Sequence, residues 1–286
     1  MTILISAVEV GSVRSIIPVC IELLFRKQTV FIERRGHFNS ETPKELECKL
    51  VNILNSDKSI IEFIKNNSIK VILFSVNIHD PRPLQIARVA KSIGITTIHL
   101  LDYWNGYRSR MELDGKKMFK PTRYLVPDYF SKSEAVKEHI PQSIIEVVGQ
   151  PSFSDLEVSY LKASKKKCPF KVTNKKTILF VLEPIEDDQG NSLEENKNYR
   201  GYTEYDVIKM IIEILDKIDK IFRIILVPHP RQDLKKLKKQ WNMSGGSQYG
   251  SVYDNRRGRD LLPFVDGVIG MASTLLYEAW LLGKIV

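Results

Sequence analysis

Side chains that could hold an anion or move a proton recur at one kind of position in this sequence, directly after a short apolar run. Near the end, Gly267-Val-Ile-Gly270 leads into Ser273-Thr274, with Glu278 one helical turn further on. Two hydroxyls and the unsatisfied N–H groups of a helix start can hold a phosphate or a sugar hydroxyl; the alternative is a serine that only caps its helix. The run from Phe222 to Val227 leads into Pro228-His229-Pro230-Arg231. His229 can donate to a diphosphate and Arg231 can neutralise it with two parallel hydrogen bonds, or both can be ordinary loop residues. The first half repeats the arrangement, with Gly11, Ser12 and Arg14 after one run, Asp80 after a second, and Asp102-Tyr103-Trp104-Asn105-Gly106-Tyr107-Arg108 after a third. Gly11 permits a tight turn, and Ser12 and Arg14 can then meet an anion or a sugar. Asp102 is the candidate base for a hydroxyl and Asp80 its alternative, and the two could also share proton transfers at a sugar carbon. Asp80 equally reads as a helix cap before Pro81. Tyr103, Trp104 and Tyr107 offer flat faces for a sugar ring, with Arg108 as a basic neighbour.

These residues need a scaffold that sets strand ends side by side, and the hydropathy pattern supplies one. Strands are predicted over Thr2 to Val8, Gln28 to Glu33, Lys70 to Val76, Thr96 to Leu101, Tyr124 to Asp128 and Ile144 to Val148. Helices are predicted between them, over Val13 to Phe25, Pro43 to Leu54, Asp57 to Asn66, Pro83 to Ile93 and Lys132 to His139. A second block has strands at Lys176 to Leu182, Phe222 to Val227 and Gly267 to Gly270. Its helices fall at Tyr205 to Lys217, Gln232 to Trp241 and after Ser273, this last closed by Gly283. Such alternation implies α/β architecture, in which helices cover both faces of a parallel sheet. Two Rossmann-like domains are expected, 1–155 and 176–286, joined by a basic linker over 156–175. Their sheets would face a cleft at the carboxyl ends of the strands, where ligands of open α/β sheets bind.

With 286 residues and 43% hydrophobic content, the chain can fill two medium cores. No apolar run has the length of a membrane span, and the first residues form a strand and not a leader. Three widely spaced cysteines, Cys20, Cys48 and Cys168, suggest reduced thiols in a cytoplasmic protein, and no metal site follows from them. The net charge of +9 is concentrated in Lys162 to Lys176 and in Lys235 to Lys239. It reads as a solvated face, with peripheral contact to the inner membrane surface as the alternative. Nucleic acid is not indicated, because the lysines are not interleaved with aromatics.

The segment from Leu261 to Val286 resembles the nucleotide-binding half of the GT-B superfamily, which holds nucleotide-sugar glycosyltransferases and the UDP-N-acetylglucosamine 2-epimerases. The resemblance rests on Leu261-Leu262-Pro-Phe-Val-Asp266, Ser273, Glu278-Ala279 and Leu282-Gly-Lys-Ile-Val286, with Ile285 where the family usually has Pro. His229-Pro230 is similar to a His-Pro segment of epimerases and envelope sugar transferases. Gly149-Gln150-Pro151 with Asp155 resembles an epimerase turn. The resemblance sets Asp80 where the epimerases place a catalytic carboxylate, and gives His229, Arg231, Ser273, Thr274 and Glu278 to the nucleotide. It departs at Ser15-Ile-Ile-Pro18, where a His-x-x-Pro is frequent, and at Leu182-Glu183-Pro184. There the epimerases carry a His-Arg-Arg-Glu-Asn run.

The resemblance implies a metal-independent glycosyltransferase-like protein of surface-polysaccharide synthesis, with a nucleotide-sugar donor, a saccharide or lipid-linked acceptor and no further cofactor. A nucleotide-sugar 2-epimerase and a catalytically incomplete binding protein are the alternatives. Because GT-B chains run on past this motif, the second domain is expected to be incomplete at Val286.

Overall fold

The structure, a computed structural model, describes residues 1–38, 48–76, 80–171, 173–218, 221–253 and 258–286. The predicted site loop residues 77–79 and residues 43–47 of the predicted helix 43–54 lie outside them.

The chain divides into two compact units, Met1–Asp155 and Leu156–Val286. Runs rich in Ile, Val, Leu and Phe make strands that are buried on both faces, as a covered parallel sheet requires. The first unit contains β1 (Thr2–Ser6), β2 (Thr29–Glu33), β3 (Lys49–Val51), β4 (Val71–Phe74), β5 (Thr96–Leu100), β6 (Arg123–Val126) and β7 (Ile145–Val147). They form one sheet in the order β3-β2-β1-β4-β5-β6-β7, parallel throughout. Alternate residues serve opposite faces. Leu4, Ile72 and Phe74 join α2 (Asp57–Asn66), α3 (Arg82–Ser92) and α4 (Tyr129–Lys137) in one core, through Ile60, Leu84 and Ala135 among others. Ile3, Ile5 and Leu73 meet Val13, Ile16 and Cys20 of α1 (Val10–Phe25) in the other.

One predicted helix is overturned. Lys49–Val51, expected inside a helix from Pro43 to Leu54, is an edge strand paired to β2. Three residues carry too little periodicity to separate the two structures in sequence, and the available edge of β2 decides it.

The second unit begins with α5 (Leu156–Ser164), inside the stretch 156–175 expected to be a linker. Leu156 and Ala163 of that helix are buried, and the helix packs on the 3₁₀ segment Gly258–Phe264. β8 (Lys176–Val181), β9 (Phe222–Val227), β10 (Gly250–Val252) and β11 (Gly267–Gly270) make a parallel sheet in the order β10-β9-β8-β11. A parallel bridge joins Gly267 to Ile285 on the far side of β11. Helices α6 (Ile185–Gln189), α7 (Glu204–Lys217), α8 (Leu234–Met243) and α9 (Thr274–Leu281) connect the strands. Gly250 admits β10 to the sheet, because a Cβ there would lie 1.7 Å from the carbonyl oxygen of Ile224.

Both sheets reverse their strand order beside the central strand. The reversal lies between β1 and β4 in one unit and between β8 and β11 in the other. Flanking connections leave for opposite faces at that point, which opens a crevice at the strand ends.

Candidate functional site

In the first unit the strand ends converge on paired charges. Asp102, just past β5, is buried, with one carboxylate oxygen accepting from Ser12 Oγ at 2.6 Å and the other ion-paired with Arg110. Arg110 Nη1 also donates to the carbonyl of Val76 at 2.6 Å, and Gln150 Nε2 donates to the Asp102 carbonyl at 2.8 Å. Gly11 touches the same carboxylate: a Cβ in its place would sit 3.4 Å from Oδ2. The fold thus unites Gly11, Ser12 and Asp102 across 90 residues of sequence. Both oxygens of Asp102 are engaged, an arrangement that anchors the α1 start to the β5 end.

Asp80 is the more open carboxylate. One oxygen accepts from the backbone N–H of Arg82 at 2.8 Å at the start of α3, and the other from Arg35 Nε at 3.0 Å. Its side chain retains 21% exposure. Behind it lies a charge pair that sequence reading missed, Arg82 Nε to Glu33 Oε1 at 2.8 Å, with Ser6 Oγ donating to the other oxygen of Glu33 at 2.7 Å. Both members are buried. Every polar group of such a pair needs a partner, and Arg82 finds further ones in Gln85 and the carbonyls of Ile53 and Leu54.

The aromatic residues separate. Tyr103 and Trp104 are half-buried and meet edge to face at 5.9 Å. Trp104 donates to Asp128 and stacks on Phe153 at 6.3 Å. Tyr107, expected to face a sugar, is buried in the core instead. Arg108 is exposed and held by Glu112 and Glu138 at the surface, not brought to Asp102. Arg14 lies half-buried on α1.

In the second unit the predicted nucleotide residues follow β9 and β11, the two neighbours of β8 in the sheet. His229 Nδ1 accepts from the backbone N–H of Arg231 at 3.2 Å, which leaves the ring's Nε2 as its donor when neutral. Arg231 forms a two-pronged pair with Asp188 of α6 at 2.7 and 3.0 Å. Ser273 is the N-cap of α9, accepting from Leu275 N–H at 3.4 Å, with Thr274 half-buried beside it. Glu278 is buried and held by Arg259 through both carboxylate oxygens. Arg259 was not singled out in sequence because nothing in a spacing of nineteen residues marks a pair.

The second missed residue is Glu183, directly after β8. Burial, and then the neighbouring charge of Asp188, push its carboxyl up to about 8, against a smaller opposing effect of Arg231. In the acidic helix α6 that follows, Glu186 pairs with Lys236 of α8 as Asp188 does with Arg231. Among the described residues no three His, Cys, Asp or Glu side chains gather as they would around a metal ion. None of the described helices is long and apolar enough to cross a membrane.

No protein-family model matches the chain, and no curated protein matches it in sequence. Solved structures match nearly all of it. UDP-GlcNAc 2-epimerase from Neisseria meningitidis bound to UDP-GlcNAc aligns at 17% identity with a TM-score of 0.67, over 99% of this chain and 81% of that one. The Methanocaldococcus jannaschii UDP-GlcNAc 2-epimerase in complex with UDP-GlcNAc and UDP gives 16% and 0.67, over 99% and 82%. Anabaena HepE in complex with UDP and glucose gives 13% and 0.65, over 99% and 78%. At such identities the likeness is one of fold: a GT-B-like α/β architecture of two Rossmann-like units.

Proposed function

We propose that the chain binds a UDP-linked sugar and acts at the sugar ring as a 2-epimerase-type enzyme. The observation that carries the reading is the second unit's set of strand ends. His229 and Arg231 after β9, and Ser273, Thr274 and Glu278 after β11, flank the central strand of a sheet that reverses its order there. The long α/β likeness to structures bound to UDP-GlcNAc or UDP supports the same ligand class. Two of the three named neighbours are 2-epimerases, and this moves the preferred reading from glycosyl transfer, with its acceptor and membrane contact, to epimerisation.

Inverting a sugar at C2 requires that the C2–H bond break and a proton return on the other face. Asp80, partly exposed beside Arg35, is the proposed base, and Asp102, fully engaged by Ser12 and Arg110, positions the α1 start. In the second unit Arg231 would exchange Asp188 for the diphosphate, and the free N–H groups of α9 would meet the phosphate or ribose. Incubation with UDP-GlcNAc in deuterated water, followed by NMR of the sugar, tests the reading. Deuterium at C2 is expected; bound ligand without any exchange would leave a binding protein. That second reading is favoured by one observation, the glutamate at the end of β8 where the family carries histidine and arginines.

A further inference from the structure

We propose that Glu183 binds the nucleotide diphosphate as a neutral acid, its carboxyl O–H donating to a phosphate oxygen at the carboxyl end of β8. The proposal rests on the reading above and adds a group to that site. Glu183 follows the central strand, with the His229 loop after the neighbour on one side and the Ser273 turn after the neighbour on the other. It is therefore beside the reversal of strand order, where an open α/β sheet receives its ligand.

The charges around it explain how a carboxyl can serve an anion. Asp188 of α6 and Arg231 of the β9–α8 loop are the two that act on it, and they are clasped to each other. Glu186 of α6 is taken up by Lys236 of α8. Glu204 of α7 accepts from Gln232 and from the Glu186 N–H, and on the β11 side Arg259 and Glu278 hold each other. With a proton on Glu183, the trio of Glu183, Asp188 and Arg231 carries no net charge and presents an O–H donor. Without that proton the trio is negative, and Glu183 itself presents only acceptors to a diphosphate. Among the described residues no group hydrogen-bonds the Glu183 carboxyl, so a ligand oxygen need displace no partner. The residue is half-buried and reachable, and it titrates at about 8. An arriving diphosphate would hold the proton more tightly still, because a nearby negative charge favours the neutral acid. A carboxylic acid kept neutral to donate at an anionic site is an established chemical device.

The experiment is calorimetric titration of the intact chain with UDP-GlcNAc from pH 6.5 to pH 9, alongside Glu183→Gln. UDP-GlcNAc is a suitable probe because its diphosphate diester does not titrate in that range. Wild-type affinity should be level near pH 7 and weaken above pH 8, approaching tenfold per pH unit. E183Q keeps an N–H donor that cannot ionise, so it should bind like the wild type at pH 6.5 and lose no more than the uracil's own titration removes. Matching profiles for the two proteins, with binding retained, would overturn the role of Glu183 and leave the UDP-sugar reading standing. Absence of wild-type binding at every pH would remove the UDP-sugar reading itself, and this inference with it. If the variant does not fold, a wild-type affinity that stays level from pH 7 to pH 9 overturns the role of Glu183 by itself.

Discussion

The two units place their polar residues at equivalent strand ends, yet the first set is locked while the second is available at Arg231, Asp188 and Glu183, with its Glu278 buried against Arg259. In the first unit Asp102 and Glu33 are buried against Arg110 and Arg82, with serine hydroxyls on their remaining oxygens. In the second, Arg231 and Asp188 keep about a third of their side-chain surface, at 30% and 38%, and Glu183 meets no hydrogen-bond partner among the described residues. Buried pairs hold a scaffold because breaking one strands a charge away from water. Exposed pairs cost little to exchange, which is what a ligand-binding group must do. The difference assigns architecture to the first set and ligand exchange to the second, with Asp80 between them.

Substitutions can break that contrast, the strongest being Asp102→Ala. It would leave Arg110 buried and uncompensated, and a loss of roughly 3–5 kcal/mol in urea-unfolding stability is expected. A loss below 1 kcal/mol would show that the first unit is as exchangeable as the second.

His99, fully buried on β5 between Phe74 and Tyr124, sharpens the contrast through pH. Burial, and then the charge of Arg110, hold its imidazole well below the usual histidine range. The unfolded chain therefore binds the extra proton first. Stability should be level above about pH 6.5 and fall as the pH drops, by at most about 1.4 kcal/mol per unit from this one residue. His99→Phe should flatten that share of the slope in denaturant titrations at pH 5 and pH 7; an unchanged slope would assign the acid sensitivity to other groups.

In the second unit, Ser273→Ala removes a long cap and should cost about 1 kcal/mol or less in thermal unfolding. The smallest stability effect belongs to Arg231→Ala, under about 1 kcal/mol because the pair is exposed. Its UDP-GlcNAc affinity should nevertheless fall about tenfold or more. Unaltered affinity would mean that the Asp188 clasp never opens to ligand.

Much of the scaffold is legible before any coordinates. Asp57–Asn66, Phe222–Val227 and Gly267–Gly270 have the bounds their apolar patterns predict, because long periodic or continuous runs leave the backbone one way to bury itself. β3 was read as helix because its pairing partner, β2, is distant in sequence. The candidate residues were legible by type and by their place after strands. Their partners were not: Arg110, Arg82 and Arg259 are arginines in polar stretches, and only folding brings them to Asp102, Glu33 and Glu278. Tyr107 was misplaced for the same reason, since an aromatic in a polar loop gives no sign that the loop turns it into the core.

By itself, then, the sequence determined the alternation of strand and helix, the parallel sheets that follow from it, and which residues stand at strand ends. Those properties depend on periodicity and side-chain type, which are local. Tertiary structure alone decided which of those residues are charged partners of the scaffold and which stay available. Burial and long-range charge govern that choice, as they do for Glu183, an acid in a loop that looked only hydrophilic until β8 and Asp188 were set beside it.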